Sequence, residues 1–356
     1  MIRDSIIDAV GRTPLVRLRP VAPLAAPIYA KLELLNPFGM KDRAAKQIIL
    51  EARRTGRLAE GDCIVESSSG TMALGVALVG TYLGHQVHII TDPRIDPITL
   101  SKLETIGCTV HVVQHMGEQG WQGARLALLR EFLEAHPHAF WPRQYDNPDN
   151  PRAYAELAAE LIDDLGNVDV LVGSVGSGGS LCGTARELRR RNPYLRVVAV
   201  DAAGSVIFGQ PDQPSRRQGG LGNSLVPPNV DPSVIDEIHW LNDSEAFAAT
   251  LELMRTEKIF AGNSSGSVYQ VARWLARHEP AGSRIVAIMP DRGDRYFNTI
   301  YSAEYRQRNG LLDEMPPGAP TELPYGTPAL RWSYSRLREH ARSAASGSPF
   351  ELLQPR

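Results

Sequence analysis

The chain alternates short, continuous apolar runs with longer stretches whose apolar positions recur every three to four residues. Residues 86–91 (QVHIIT) read as a strand, Pro97–Ile106 as a helix and residues 108–113 (CTVHVV) as the next strand. This is the rhythm of a βαβ unit: a strand covered on both faces needs an unbroken β-branched run, whereas the crossover helix needs only one apolar stripe. The rhythm returns at residues 168–173 (VDVLVG), 195–201 (LRVVAVD) and 284–290 (RIVAIMP). The pattern therefore predicts an α/β fold with parallel sheets built from two clusters of strands. Between the clusters, residues 145–151 (YDNPDNP) carry two Asn-Pro pairs that break regular structure, and the hinge is expected there. After about Tyr301 the rhythm decays, and the Pro-rich residues 315–328 predict an extended tail or strap rather than a third domain.

The length of 356 residues agrees with two domains, since a single domain holds about 100–200. Lys plus Arg number 38 against 40 Asp plus Glu, a net charge of −2, which gives no general attraction to nucleic acid or an anionic membrane. The cysteines Cys63, Cys108 and Cys182 lack CxxC or Cys/His spacing, so they are expected as small buried hydrophobes rather than disulfides or zinc ligands. The nine histidines are scattered, and neither a metal site nor a Ser-His-Asp hydrolase is expected. The first ten residues contain Asp4 and Asp8 without a basic stretch and apolar run, and no apolar run approaches the roughly 18 residues of a membrane span. A cytoplasmic protein is the expectation.

Four segments carry candidate chemistry. In residues 36–43 (NPFGMKDR) a Pro-Phe-Gly turn delivers Lys41 to the start of a helical pattern. The positive end of the helix dipole and desolvation in a cleft both disfavour an ammonium there, which are the conditions of a Schiff-base lysine. Residues 66–70 (ESSSG) follow a strand and open the small-residue helix at 71–80, a place suited to a carboxylate or simply to a helix cap. Residues 174–180 (SVGSGGS) lie between a strand and a helix, where glycines let backbone amides approach an anion closely. They lack the P-loop lysine and the spacing of GxGxxG, so a monophosphate ester suits them better than a nucleotide, and a nicotinamide enzyme is disfavoured. Residues 261–266 (AGNSSG) precede another helical stretch and offer a serine hydroxyl that can bond a ring nitrogen without fully protonating it.

Taken in order, these segments resemble the fold-type II pyridoxal 5′-phosphate (PLP) enzymes of the cysteine synthase and cystathionine β-synthase family, which have a tryptophan synthase β-like fold. The resemblance runs from about Asp4 to Tyr301 and also includes GRTPLVRL (11–18), QYDNPDNP (144–151), GGLGNSLVP (219–227) and MPDRGDRYFNT (289–299). It implies two three-layer αβα domains with the cofactor between them. Residues 1–39 with 148–305 would form the larger, cofactor-binding domain, 40–147 the smaller mobile domain, and 306–356 the tail. By resemblance Lys41 matches the lysine that holds PLP as an imine. Gly176, Ser177, Gly178, Gly179 and Ser180 match the phosphate loop, and Ser264 matches the partner of the pyridine nitrogen. Ser68, Ser69, Gly70 and Thr71, with Gln144, would take the substrate carboxylate. One departure stands out: the family's Ser-Gly-Asn-Thr is here Ser69-Gly70-Thr71-Met72, so a Thr71 hydroxyl replaces the amide expected beside the cofactor's 3′-oxygen.

The implied activity is β-replacement on an activated L-serine, O-phospho-L-serine or O-acetyl-L-serine, by a homodimeric enzyme acting on small amino acids. Residues 201–209 (DAAGSVIFG) and 291–296 (DRGDRY) look closest to two branches thought to use O-phosphoserine. The primary expectation is a sulfur nucleophile, sulfide or thiosulfate, giving cysteine or S-sulfocysteine, which the Trp332-bearing tail favours. The alternative is the amine of L-glutamate, on the way to 2,3-diaminopropionate in siderophore biosynthesis. A serine/threonine dehydratase and a non-catalytic binder of the same fold are further readings. One guanidinium of the pair Arg216 and Arg217 is expected to hold a phosphate leaving group through paired N–H bonds, selecting O-phosphoserine over O-acetylserine.

Overall fold

The computed structural model describes residues 2–23, 25–117, 120–311 and 317–337. The strands are β1 (Leu15–Arg17), β2 (Ile28–Lys31), β3 (Ile64–Ser67), β4 (Val87–Thr91), β5 (Thr109–Val112), β6 (Val170–Ser174), β7 (Arg196–Ala202), β8 (Glu237–Leu241), β9 (Ile285–Ile288), β10 (Thr321–Glu322) and β11 (Ser333–Arg336). The helices are α1 (Lys41–Arg54), α2 (Thr71–Tyr82), α3 (Pro97–Ile106), α4 (Gly120–Ala135), α5 (Asp149–Arg152), α6 (Ala155–Leu165), α7 (Gly179–Arg191), α8 (Asp243–Glu257), α9 (Asn263–His278) and α10 (Ala303–Arg308).

Two sheets organise them. An eight-stranded sheet has the order β1-β2-β9-β6-β7-β8-β11-β10, and a three-stranded sheet has the order β3-β4-β5. Pairing is parallel through β2-β9-β6-β7-β8 and throughout the small sheet. The strands β6 and β9, both central, are buried along their whole length, as their unbroken apolar runs predict. Helix α2 packs on the small sheet and α1 packs on α2, the two helices approaching closely because α2 has a glycine at the crossing. A Cβ on Gly75 would lie 3.1 Å from both Ala45 Cβ and the Lys41 carbonyl oxygen.

Part of the expected tail behaves differently. Residues 333–336 extend the large sheet, β11 pairing antiparallel with β8 from Ser333↔Trp240 to Arg336↔Glu237. Trp332 just before it is 1% exposed, and its indole N–H donates to His239 Nδ1 at 3.2 Å. A strand added on β8 covers an edge whose backbone groups would otherwise need water or another chain.

Helix starts also differ from the pattern-based expectation. Helix α7 begins at Gly179 and α9 at Asn263, each earlier than the apolar periodicity indicates. First-turn N–H groups have no partner within a helix, so glycines and serines sit there at little cost and carry no periodic signature. Among the described residues no helix is long and apolar enough to cross a membrane.

Candidate active site

The loops after β3, β6 and β9 all leave the carboxyl ends of parallel strands, the place where open α/β sheets present their ligand crevice. Between β2 and α1 the chain turns through Gly39, whose φ of 130° needs a glycine and where a Cβ would meet the Pro290 carbonyl oxygen at 3.1 Å. The turn is clamped by Asp42, whose Oδ2 accepts the Phe38 and Gly39 N–H groups at 2.7 and 3.3 Å. Lys41 is thereby fixed as the first residue of α1. Its Nζ donates to Ser177 Oγ at 3.2 Å, and burial lowers its pKa to about 8 against the opposing pull of Asp291. A buried amine that is substantially neutral in this range is a competent nucleophile and base.

The strand β6 runs into Gly178, which has φ of 82° and is the N-cap of α7 with no side chain bonding the first turn. A Cβ on Gly178 would lie 2.6 Å from Val230 N, one on Gly176 3.1 Å from the Gly220 carbonyl oxygen, and one on Gly179 would collide with Asn150 Oδ1. The glycines are therefore steric requirements of the loop. They bring backbone amides, the Ser177 and Ser180 hydroxyls and the dipole of a 13-residue helix to one point, a donor set for a phosphate monoester. Asn150 Nδ2 donates to Ser177 Oγ at 3.1 Å, tying residues 144–151 to this loop.

Ser264 stands fully buried in the first turn of α9. Its hydroxyl donates to Asp291 Oδ1 at 3.4 Å, and Tyr296 donates to Asp291 Oδ2 at 2.8 Å. Burial raises the pKa of Asp291, while Arg295, Tyr296, Ser264 and Lys41 favour its charge. A Cβ on Gly220 would reach Ser264 Oγ at 3.6 Å, so the backbone of residues 219–222 forms a wall close to that hydroxyl.

Opposite, Gly70 caps α2 without a side-chain bond, and its N–H donates to Ser68 Oγ at 3.2 Å. Arg125 Nη1 donates to Ser69 Oγ at 3.3 Å. Thr71 lies across from Gly39, where an added Cβ would meet its Cγ2 at 3.5 Å. Gln144 is buried, and its carbonyl oxygen accepts the Asn150 and Asn229 side-chain amides at 2.6 and 3.2 Å. The cleft between this loop and the 219–225 segment has a volume of about 710 Å³ and is lined by Ser69, Tyr145, Arg94, Arg125, Arg216 and Asn223, among others.

The two arginines named from sequence separate. Arg216 lines this cleft, with its guanidinium bonded to Asp212 at 2.9 Å and Ser224 at 3.0 Å. Arg217 turns to Tyr305, donating to its hydroxyl at 3.0 Å, and is absent from the residues lining the cleft. Arg125, Tyr145, Asp291 and Arg295 were not singled out from the sequence. Arg125 sits within α4 and has no local signature. Asp291 and Arg295 fall in the quoted segment MPDRGDRYFNT, whose density of charges around one glycine was the available clue.

A nucleophilic lysine, a monophosphate cradle and a buried hydroxyl, held on three elements around one crevice, fit pyridoxal phosphate. The chain belongs to the family of pyridoxal-phosphate dependent enzymes, whose pattern it matches over residues 6–291. Its architecture is that of the fold-type II, cysteine synthase-like members, and it is an enzyme of their β-replacement type. It is 38% identical over 316 residues to N-(2-amino-2-carboxyethyl)-L-glutamate synthase of Cupriavidus metallidurans, a match covering 86% of this chain and 92% of that one. Among solved structures it resembles O-ureido-L-serine synthase with a TM-score of 0.79 and 32% identity, covering 85% of this chain and 96% of that one. A cysteine synthase from Entamoeba histolytica superposes with a TM-score of 0.80 at 27% identity, covering 88% of this chain and 96% of that one.

Proposed function

We propose that this enzyme replaces the phosphate of O-phospho-L-serine by the α-amino group of L-glutamate, forming N-(2-amino-2-carboxyethyl)-L-glutamate. The observation that carries this reading is the cleft of about 710 Å³ lined by Arg94, Arg125 and Arg216. A dicarboxylate nucleophile and a phosphate leaving group each call for fixed cations and room, whereas sulfide needs neither. The relationship to the glutamate-using synthase favours the amine over the sulfur nucleophile that the sequence placed first.

In this reading Lys41 would hold the cofactor, residues 176–180 its phosphate and Ser264 its ring nitrogen. Pyridoxal phosphate, when bound, supplies an electron sink for charge developing at the substrate's α-carbon. The hydroxyls of Ser68, Ser69 and Thr71 orient the substrate carboxylate. Lys41 Nζ, set free once the substrate's own amine has taken its place, takes the proton from Cα, burial having lowered its pKa to about 8. The Cβ–O bond breaks with its electron pair leaving on phosphate, and Arg125 balances that charge. The glutamate nitrogen then bonds to Cβ and loses a proton, and Lys41 returns a proton to Cα.

Incubating the holoenzyme with O-phospho-L-serine and, separately, L-glutamate, sulfide or thiosulfate tests the proposal by mass spectrometry of the product. The glutamate adduct is expected as the principal product. Cysteine or S-sulfocysteine at a higher rate would restore the sulfur reading, and pyruvate formed without a second substrate would identify a dehydratase.

A further inference from the structure

One guanidinium joins the loop after β9 to the loop after β3. Arg295, in the short turn after β9, reaches across to the small-sheet side, where Nη2 donates to the Ser69 carbonyl oxygen at 3.4 Å and Nε to Asp96 Oδ2 at 3.3 Å. On its own side Nη1 lies 3.6 Å from Asp291 Oδ2, and the group stacks over Tyr296 with 5.5 Å to the ring centroid. Its side chain is 17% exposed, so these contacts are largely shielded from water and screening. The same Asp291 accepts the hydroxyl of Ser264. Ser69, Asp96, Arg295, Asp291 and Ser264 thus form a continuous chain of polar contacts from the carboxylate loop to the deepest hydroxyl of the site.

The bond to the Ser69 carbonyl has a geometric consequence. In a trans peptide the C=O and N–H point in opposite directions, so fixing the Ser69 oxygen on Arg295 aims the Gly70 N–H the other way. That N–H donates to Ser68 Oγ at 3.2 Å. With its oxygen accepting from Gly70, the Ser68 hydroxyl keeps its proton free for an incoming carboxylate. The hydroxyl of Ser69 is meanwhile held from the other side by Arg125.

We infer that Arg295 is the positioning residue for recognition of the amino-acid carboxylate, locking the 68–71 loop in its receiving conformation against the large sheet. This rests on the reading that residues 68–71 take that carboxylate. Asp96 completes the lock from the N-cap of α3, where its Oδ1 accepts the Thr99 N–H at 2.9 Å and its Oδ2 faces Arg295.

The test compares binding of L-serine with that of ethanolamine, the same amine and hydroxyl without the carboxylate, read from the change in absorption of the bound cofactor. Wild-type holoenzyme, Arg295→Ala, Arg295→Lys and Asp96→Asn are titrated in parallel. L-serine is expected to bind at least roughly tenfold more weakly to Arg295→Ala, the loss of a charge-assisted hydrogen bond, with ethanolamine binding and cofactor retention unchanged. Arg295→Lys recovers part of the loss. Asp96→Asn preserves the helix cap and folds normally, so it shows a smaller loss of the same carboxylate-dependent kind even if Arg295→Ala is poorly folded. Amide exchange at residues 67–71 is expected to quicken in both Arg295→Ala and Asp96→Asn. Unchanged L-serine preference over ethanolamine in these variants overturns the role of Arg295. A wild-type enzyme that binds the two amines alike overturns the reading of the loop itself, and the inference with it.

Discussion

Lys41 Nζ and Ser177 Oγ lie 3.2 Å apart, so the first residue of α1 meets the loop that opens α7 although 136 residues separate them. The contact joins a helix packed on α2 to a loop of the large sheet, and it keeps the amine out of water. Burial makes the charged form of Lys41 unfavourable, and this has a measurable effect on the cofactor-free protein. The folded pKa of about 8 lies below the ordinary lysine value of 10.5. Between those values the unfolded chain binds more protons than the folded one, so stability rises with pH across that window. Below about pH 8 the full penalty is present. Replacing Lys41 by Met is expected to raise the stability of the cofactor-free protein at pH 7, and urea unfolding at pH 7 and pH 10 will show the difference shrinking. The same variant is expected to lack both activity and covalent cofactor.

Gly178 combines φ of 82° with a Cβ position 2.6 Å from Val230 N. Gly178→Ala is expected to cost about 1–2 kcal/mol for the left-handed backbone alone, with the collision in addition. Equilibrium dialysis should record at least a tenfold loss of pyridoxal phosphate affinity. Gly326 has φ of 87° but open space around it, so Gly326→Ala should leave cofactor affinity unchanged.

Arg125 is the cation bonded to Ser69 in the proposed substrate loop, and it also pairs with Asp92 at 3.4 Å, whereas Arg217 bonds Tyr305 away from the cleft. Steady-state kinetics of Arg125→Ala are expected to show kcat/KM for O-phospho-L-serine falling tenfold or more, with a smaller change for O-acetyl-L-serine, as loss of a charge-assisted bond predicts. Arg217→Ala should leave the ratio between the two donors as it is in the wild type.

Arg43, two residues after Lys41, anchors the same helix. Its side chain is 1% exposed and meets the fully buried Glu33 through Nε at 2.7 Å and Nη2 at 2.9 Å, while Glu160 adds a second carboxylate at 2.8 Å. Arg43→Ala leaves Glu33 buried without its counterion and is expected to destabilise the fold by about 3–5 kcal/mol. Urea denaturation with saturating cofactor checks this, and a loss under about 1 kcal/mol would contradict the assignment of Arg43 as a structural anchor.

Much of the site was legible because its parts are local. The Pro-Phe-Gly turn before Lys41, the glycines after a strand and the Ser-Gly loop before a helix each state a backbone geometry in a few consecutive residues. The helix starts were less legible, because Gly179 and Asn263 occupy first-turn positions where periodic burial does not yet apply. Trp332 and β11 fall within the expected 306–356 tail, since four residues beyond a Pro-rich stretch do not announce which strand they will pair with. Arg125 was missed for the same kind of reason. The direction of one side chain out of α4 depends on the packing of the small sheet.

By itself the sequence determined the α/β class, the parallel strands, the lysine at a helix start and the glycine loop between a strand and a helix. Each follows from periodicity or from backbone conformations that only certain residues adopt. The tertiary structure alone decided which charges share the cleft: Arg125 and Arg216 line it and Arg217 does not, while Arg295, outside that lining, reaches from the turn after β9 to Ser69 and Asp96. Long charged side chains act over several ångströms and in any direction. Their partners are therefore set by how the two sheets are placed, which no local pattern records.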